Sequence, residues 1–197
     1  MSESSLILKG EASKNIDLSE QYLLRCTPDS DCGGGFIENA VDTILKYGSP
    51  EESKYPYNPY EYSSSRICLP SLSNEDISEK PRQSFYNIDT LELKDILVNG
   101  PVAIALSATN WEYYSGGIWR CNSYDEVNHA VLLVGWTDDA WIIKNQWGSD
   151  WGENGYIRVS MNPRENCHIG TAVHMLSENM AKYAFLAVFL LISIFCL

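Results

Sequence analysis

Two kinds of hydrophobic spacing divide the chain. Between residues 16 and 50 apolar positions recur at the helical period. Asp17-Leu18-Ser19-Glu20 has the form of a capping box and opens a short helix carrying Tyr22, Leu23 and Leu24. A second helix is expected after Gly33-Gly34-Gly35: Phe36, Ile37, Ala40, Val41, Ile44 and Leu45 fall on one face, and Gly48 stands where a helix would stop. Residues 51–82 are rich in Pro, Ser and Tyr and read as a long surface loop. From about residue 84 the spacing shortens. A helix over Leu91–Leu97 ends at Asn99-Gly100-Pro101, and VAIAL, GGIW, HAVLLVGW, AWIIKN and GYIRV follow, short β-rich runs parted by Gly, Asp and Asn. HAVLLVGW is nearly unbroken in apolar residues, which predicts a buried central strand. The expected class is α+β, a helical half followed by an antiparallel sheet or barrel.

The last residues follow neither pattern. Tyr183 to Leu197 reads YAFLAVFLLISIFCL, without a charge or a proline. At 1.5 Å per residue such a helix spans about 22 Å, short of the roughly 30 Å hydrocarbon core of a bilayer. A C-terminal hydrophobic helix is expected, and three uses stay open: burial in the protein, a marginal membrane span, or a cleaved lipid-anchor signal following Ser177. The expected units are 1–83, 84–176 and 177–197.

Charge and cysteines narrow the class. Fourteen Lys and Arg against 26 Asp and Glu give a formal charge of −12 with no acidic block, a balance that repels nucleic acid, so no such partner is expected. Cysteines stand at 26, 32, 68, 121, 167 and 196 without zinc spacing, so neither a metal nor another cofactor is expected. Spread through a Tyr- and Trp-rich chain, they read as disulfides of an exported protein. MSESSLILKGEASKN has no apolar leader stretch, and an N-terminus lying upstream of Met1 reconciles the two.

With three histidines, general bases are few. His129 starts the most hydrophobic strand, and Asn145 ends AWIIKN sixteen residues on, followed by Gln146-Trp147-Gly148. At the ends of two adjacent strands they can meet, the asparagine fixing which imidazole nitrogen stays free to hold a proton. Spacing alone also allows a structural histidine at a strand start.

NHAVLLVGW, KNQWGSDWGENGYIRV, LSEQYLLRC and DCGGGF resemble the papain/cathepsin L-like family of cysteine peptidases, over about Ser5 to Leu176. The resemblance implies a papain-like two-domain α+β fold, here a partial helical domain plus an antiparallel β-barrel-like domain. It also implies peptide-bond hydrolysis through a Cys–His–Asn acyl-enzyme. His129 would be the catalytic imidazole and Asn145 its orienting partner; Trp147 would shield their hydrogen bond, and Trp151 would wall the primed side of the cleft. Gly34 and Gly35 would present backbone groups to an extended peptide. Phe36, Ile37, Ala105, Ala130 and Ala172 would line the pocket for the P2 side chain, favouring an apolar or aromatic one. The implied partners are a peptide or protein substrate and a protein inhibitor, in a lysosomal, endosomal or secreted setting, with anchoring through residues 183–197 kept open.

By the same resemblance Cys26 pairs with Cys68 and Cys121 with Cys167, while the partner of Cys32 lies upstream. The family's CGSCW-type nucleophile word occurs nowhere in the sequence and is expected about nine residues ahead of Met1, with the oxyanion glutamine further upstream. The 197 residues alone are therefore expected to be inactive. Alternatives are a nucleophile-less homologue that binds peptides or an inhibitor, and a membrane-anchored scaffold. Two departures stand out: Gln146 where the family has Ser, and His168, read as an exposed loop residue, where it has Gly.

Overall fold

The N-terminal part is held by three helices, α1 (Ser2–Leu8), α2 (Glu20–Cys26) and α3 (Ile37–Tyr47), in a computed structural model that describes residues 1–58, 60, 68, 82–122 and 124–176. Ser19, not Asp17, caps α2: its Oγ accepts from the Tyr22 amide at 3.0 Å and donates to the Tyr55 carbonyl at 2.5 Å. The helix begins at Glu20, so the expected box starting at Asp17 is not formed, and the Asp17 carbonyl accepts from the Glu52 amide at 2.8 Å. Helix α3 ends where the periodicity said, at Gly48, whose φ of 72° suits a residue without a Cβ. Leu6, Leu18, Val41, Ile44 and Leu176 bury together between these helices and the end of the sheet.

Beyond residue 81 come β1 (Arg82–Tyr86), α4 (Thr90–Leu97), β2 (Val102–Leu106), β3 (Ile118–Trp119), β4 (His129–Trp136), β5 (Ala140–Lys144), β6 (Tyr156–Ser160) and β7 (Ala172–Leu176). Asp89 caps α4, its Oδ1 accepting from the amides of Leu91 and Glu92. Among the described residues the strands form one sheet in the order β1-β7-β2-β4-β5-β6-β3, antiparallel throughout except for the parallel β3–β6 pair. The sheet is open, with β1 and β3 at its edges, where a barrel-like closure was expected. β4 does lie at the centre, but its burial alternates: Val131 and Leu133 are buried while Ala130 and Leu132 face outward. Centrality in the sheet therefore did not bring burial of both faces. β1 and β7 were not foreseen, since RQSFY and AVHML carry polar residues within their runs.

The second core lies under the inner face of this sheet. Ile104, Leu133, Ile143, Ile157, Val159 and Val173 are completely buried there with Trp111 and Trp141, each aliphatic side chain contributing about 1.5–3 kcal/mol on transfer from water. The Cys121–Cys167 disulfide ties the segment after β3 to the segment before β7. The other expected bond is not formed: Cys26 and Cys68 are free thiols, with Cys68 Sγ 3.7 Å from the Cys26 carbonyl oxygen. The expected hydrophobic helix over 183–197 lies outside the described residues, as does most of the 51–82 loop. Among the described residues no helix is long and apolar enough to cross a membrane.

Candidate active site

The sheet's register brings the histidine and the asparagine together. β4 pairs with β2 from Leu106↔His129 onward and with β5 from Leu132↔Lys144. His129 and Asn145 therefore extend just past the β4–β5 ladder, where their side chains approach. Asn145 is fixed from the other side by its amide, which donates to the Gly155 carbonyl at 3.0 Å. His129 Nε2 is 3.0 Å from Asn145 Oδ1. An amide oxygen accepts, so Nε2 carries the proton and Nδ1 keeps the lone pair that a general base needs. Asn145 is 6% exposed, and its Nδ2 has no hydrogen-bond partner among the described residues.

Four aromatic rings enclose this pair. Trp147 lies 5.3 Å from the His129 ring and tilted by 39°, and Trp151 meets Trp147 edge-on at 5.1 Å. Trp151 stacks on Trp111 at 6.1 Å, leans on Tyr114, and donates from Nε1 to the Trp111 carbonyl at 3.0 Å. Trp111, completely buried, presents its ring edge-on to His129 at 6.1 Å. Nothing in the sequence marked Trp111 for the site; it stands in TNWEYY, at the start of a single 3-10 turn (Trp111–Tyr113), and only tertiary packing places it against the imidazole. Gln146, two residues past β5, reaches across to β4, its Nε2 donating to the Ala130 carbonyl at 3.3 Å.

Of the expected peptide-binding residues, the three alanines lie side by side. The register aligns Ala130 with Ala105 and Ala105 with Ala172, on three neighbouring strands and on the outer face. Phe36 is 69% exposed at the start of α3, whereas Ile37 is half-buried and packs against the helical cluster. The α3 periodicity explains this: Ile37, Val41 and Ile44 share the inward stripe. The two glycines differ as well. Gly34 has both backbone groups engaged with Asp31, N–H to carbonyl at 3.1 Å and carbonyl to N–H at 3.0 Å. A Cβ on Gly35 would meet Ser30 Oγ at 2.7 Å, which accounts for glycine at that position.

No cysteine contacts His129 among the described residues. Cys26 is buried beside Cys68, and burial first, then the Cys68 thiol, pushes its own thiol up to about 12, far from a nucleophile's range. Cys32 is exposed in the turn closed by Asp31 and Gly34. His168 is not the exposed loop residue expected. It is half-buried at φ 66°, and its Nε2 is buried without a hydrogen-bond partner among the described residues.

An imidazole whose Nε2 is held by a buried amide and whose Nδ1 keeps its lone pair is an arrangement able to accept a proton. Residues 1–176 match the papain family cysteine protease profile. The chain is 45% identical over 159 residues to a viral cathepsin of Heliothis zea nuclear polyhedrosis virus, covering 76% of this chain and 41% of that protein. It is 35% identical over 154 residues to cysteine proteinase A of Leishmania mexicana, covering 74% and 43%. Among solved structures, procathepsin L 3 from the larval midgut of Tenebrio molitor aligns with a TM-score of 0.73 and 34% identity, over 88% of this chain and 59% of that one. The bromelain protease of Ananas comosus aligns at 0.71 and 26%, over 83% and 79%. The chain belongs to the papain family of cysteine proteases. It spans less than half the length of the two curated relatives described here.

Proposed function

We propose that the chain carries the base, the orienting amide and part of the peptide cleft of a cysteine endopeptidase, and that the thiolate comes from sequence outside these 197 residues. The observation that carries this reading is the 3.0 Å contact from His129 Nε2 to Asn145 Oδ1 beneath Trp147. In the complete site Nδ1 of His129 would take the proton of a cysteine thiol, and the resulting imidazolium would return it to the leaving amine. Asn145 would hold the ring through both transfers, with Trp147 and Trp151 keeping water from their bond. The alanine shelf supports an apolar or aromatic P2 side chain. The two buried clusters support reading 1–83 and 84–176 as the two lobes that flank the cleft. A disulfide between Cys121 and Cys167 suits the lysosomal or secreted setting of cathepsin-like proteins.

On this reading the 197 residues by themselves do not cleave peptides. The test is to graft a family-type segment bearing the oxyanion glutamine and a CGSCW word ahead of Ser5. Activity on a substrate with an aromatic P2 is expected, and is expected to vanish with His129→Ala. A folded but inert graft would favour the peptide- or inhibitor-binding homologue, with Gln146 or another departure disabling the site. Cleavage by the ungrafted chain that depends on His129 would show the nucleophile to lie within it.

A further inference from the structure

The alanine strip does not end in open solvent. It begins at Ala130, next to His129, and crosses Ala105 and Ala172 in register to Tyr86 on β1. Three strand spacings make this about 14 Å. At the Tyr86 end the first turn of α3 comes down on the sheet. The Tyr86 hydroxyl donates to Glu38 Oε1 at 3.0 Å, and the same oxygen lies 3.5 Å from Nε2 of His174. His174 stands two residues along β7 from Ala172, so both side chains rise from one face of the strand. Its side chain is 1% exposed, its Nδ1 is 3.0 Å from Ser84 Oγ, and the Tyr86 ring meets it edge-on at 6.0 Å. The strip is therefore an apolar floor that runs from Ala130, the residue after His129, to a carboxylate bonded by the Tyr86 hydroxyl.

We propose that Glu38 is a specificity-determining residue at the far end of this strip, selecting a P2 side chain with an aromatic stem and a hydrogen-bond-donating tip, tyrosine above phenylalanine. This rests on the peptide-cleft reading given above. The alanine methyls and the Tyr86 ring, half exposed at 55%, receive the stem. The Glu38 carboxylate, whose side chain is 29% exposed, receives the tip. A carboxylate offers about four lone-pair positions on two oxygens, more than a single donor fills. Tyr86 acts by positioning: its hydroxyl bond to Oε1 fixes where the carboxylate points. None of the residues expected from the sequence to line this pocket was charged, because Glu38 lies one residue beyond the expected set and His174 two.

The experiment is a methyl NMR titration of the full chain, labelled at alanine, with N-acetyl-Ala-Tyr-Gly-amide and N-acetyl-Ala-Phe-Gly-amide. Both peptides should shift the methyls of Ala105, Ala130 and Ala172. The tyrosine peptide should bind about tenfold more tightly, the worth of one hydrogen bond to a charged acceptor. Glu38→Gln, which keeps the side chain's size and its hold on α3, should cut that preference to below about threefold, and Glu38→Ala should abolish it. Equal or tighter binding of the phenylalanine peptide overturns the proposal. So does a tyrosine preference that survives Glu38→Ala. If neither peptide moves any of the three methyls, the peptide-cleft reading falls with it.

Discussion

Replacing Glu153 by glutamine should weaken the fold at neutral pH and cost nothing near pH 2. Glu153 lies in the turn between β5 and β6, directly after Gly152. Its carboxylate takes a two-pronged contact from Arg158, Nη2 to Oε1 at 2.7 Å and Nε to Oε2 at 2.9 Å, and Oε1 also accepts the Gly117 amide at 3.0 Å. These bonds join β6 to the loop before β3 and brace the turn that carries Trp151. The Arg158 hydrogen bonds, with smaller help from the Gly117 amide, hold the carboxyl at about 2, against an ordinary 4.5. The sign follows from the direction. A carboxyl depressed in the folded state binds its proton more readily when unfolded, so its stabilisation is full above about pH 4.5 and is lost as pH falls toward 2. The full shift would correspond to about 3 kcal/mol. Both side chains are about a third exposed, at 31% for Glu153 and 38% for Arg158, so solvent screening reduces this to about 1 kcal/mol. Urea unfolding of the wild type and Glu153→Gln at pH 7, 5, 3 and 2 measures it. The deficit should be about 1 kcal/mol at pH 7 and 5, shrink at pH 3 and be near zero at pH 2. A deficit constant across that range would mean that the substitution acts by packing alone. No deficit at pH 7 would mean that the bracing contributes nothing.

Three further outcomes are expected. Asn145→Ala should release the imidazole, so that nitrogen-15 spectra of His129 show a mixture of tautomers in place of the Nε2-protonated form; an unchanged tautomer would show that another group orients the ring. Under oxidising conditions Cys26 and Cys68, already adjacent, should close a loop worth roughly 4 kcal/mol, and non-reducing peptide mapping that instead joined Cys26 to Cys32 would sink the pairing. Gly35→Ala should destabilise the turn before α3 by about 1–3 kcal/mol because its Cβ meets Ser30 Oγ at 2.7 Å, and Ser30→Gly in the same chain should restore most of the loss; a Gly35→Ala variant as stable as wild type refutes the clash.

What the sequence by itself determined was local. The apolar spacing of α3 and its stop at Gly48, the runs that became β2 and β4 to β6, and the words around His129 and Asn145 are set by neighbours within a few residues. The order of the sheet was decided elsewhere. β1 and β7 were invisible because their polar residues, Ser84 and His174 among them, become tolerable only when α3 covers them and each supplies the other's hydrogen bond. The packing of Ile37 was out of reach for the same reason: periodicity names the apolar stripe of a helix but not which surface that stripe meets. Trp111 against the imidazole, the alanine strip and the Glu38–Tyr86 contact each join residues that no local window holds together, Glu38 and Tyr86 by 48 positions. Such contacts depend on strand register and helix docking. These are properties of the whole packed chain, and no window of sequence contains them.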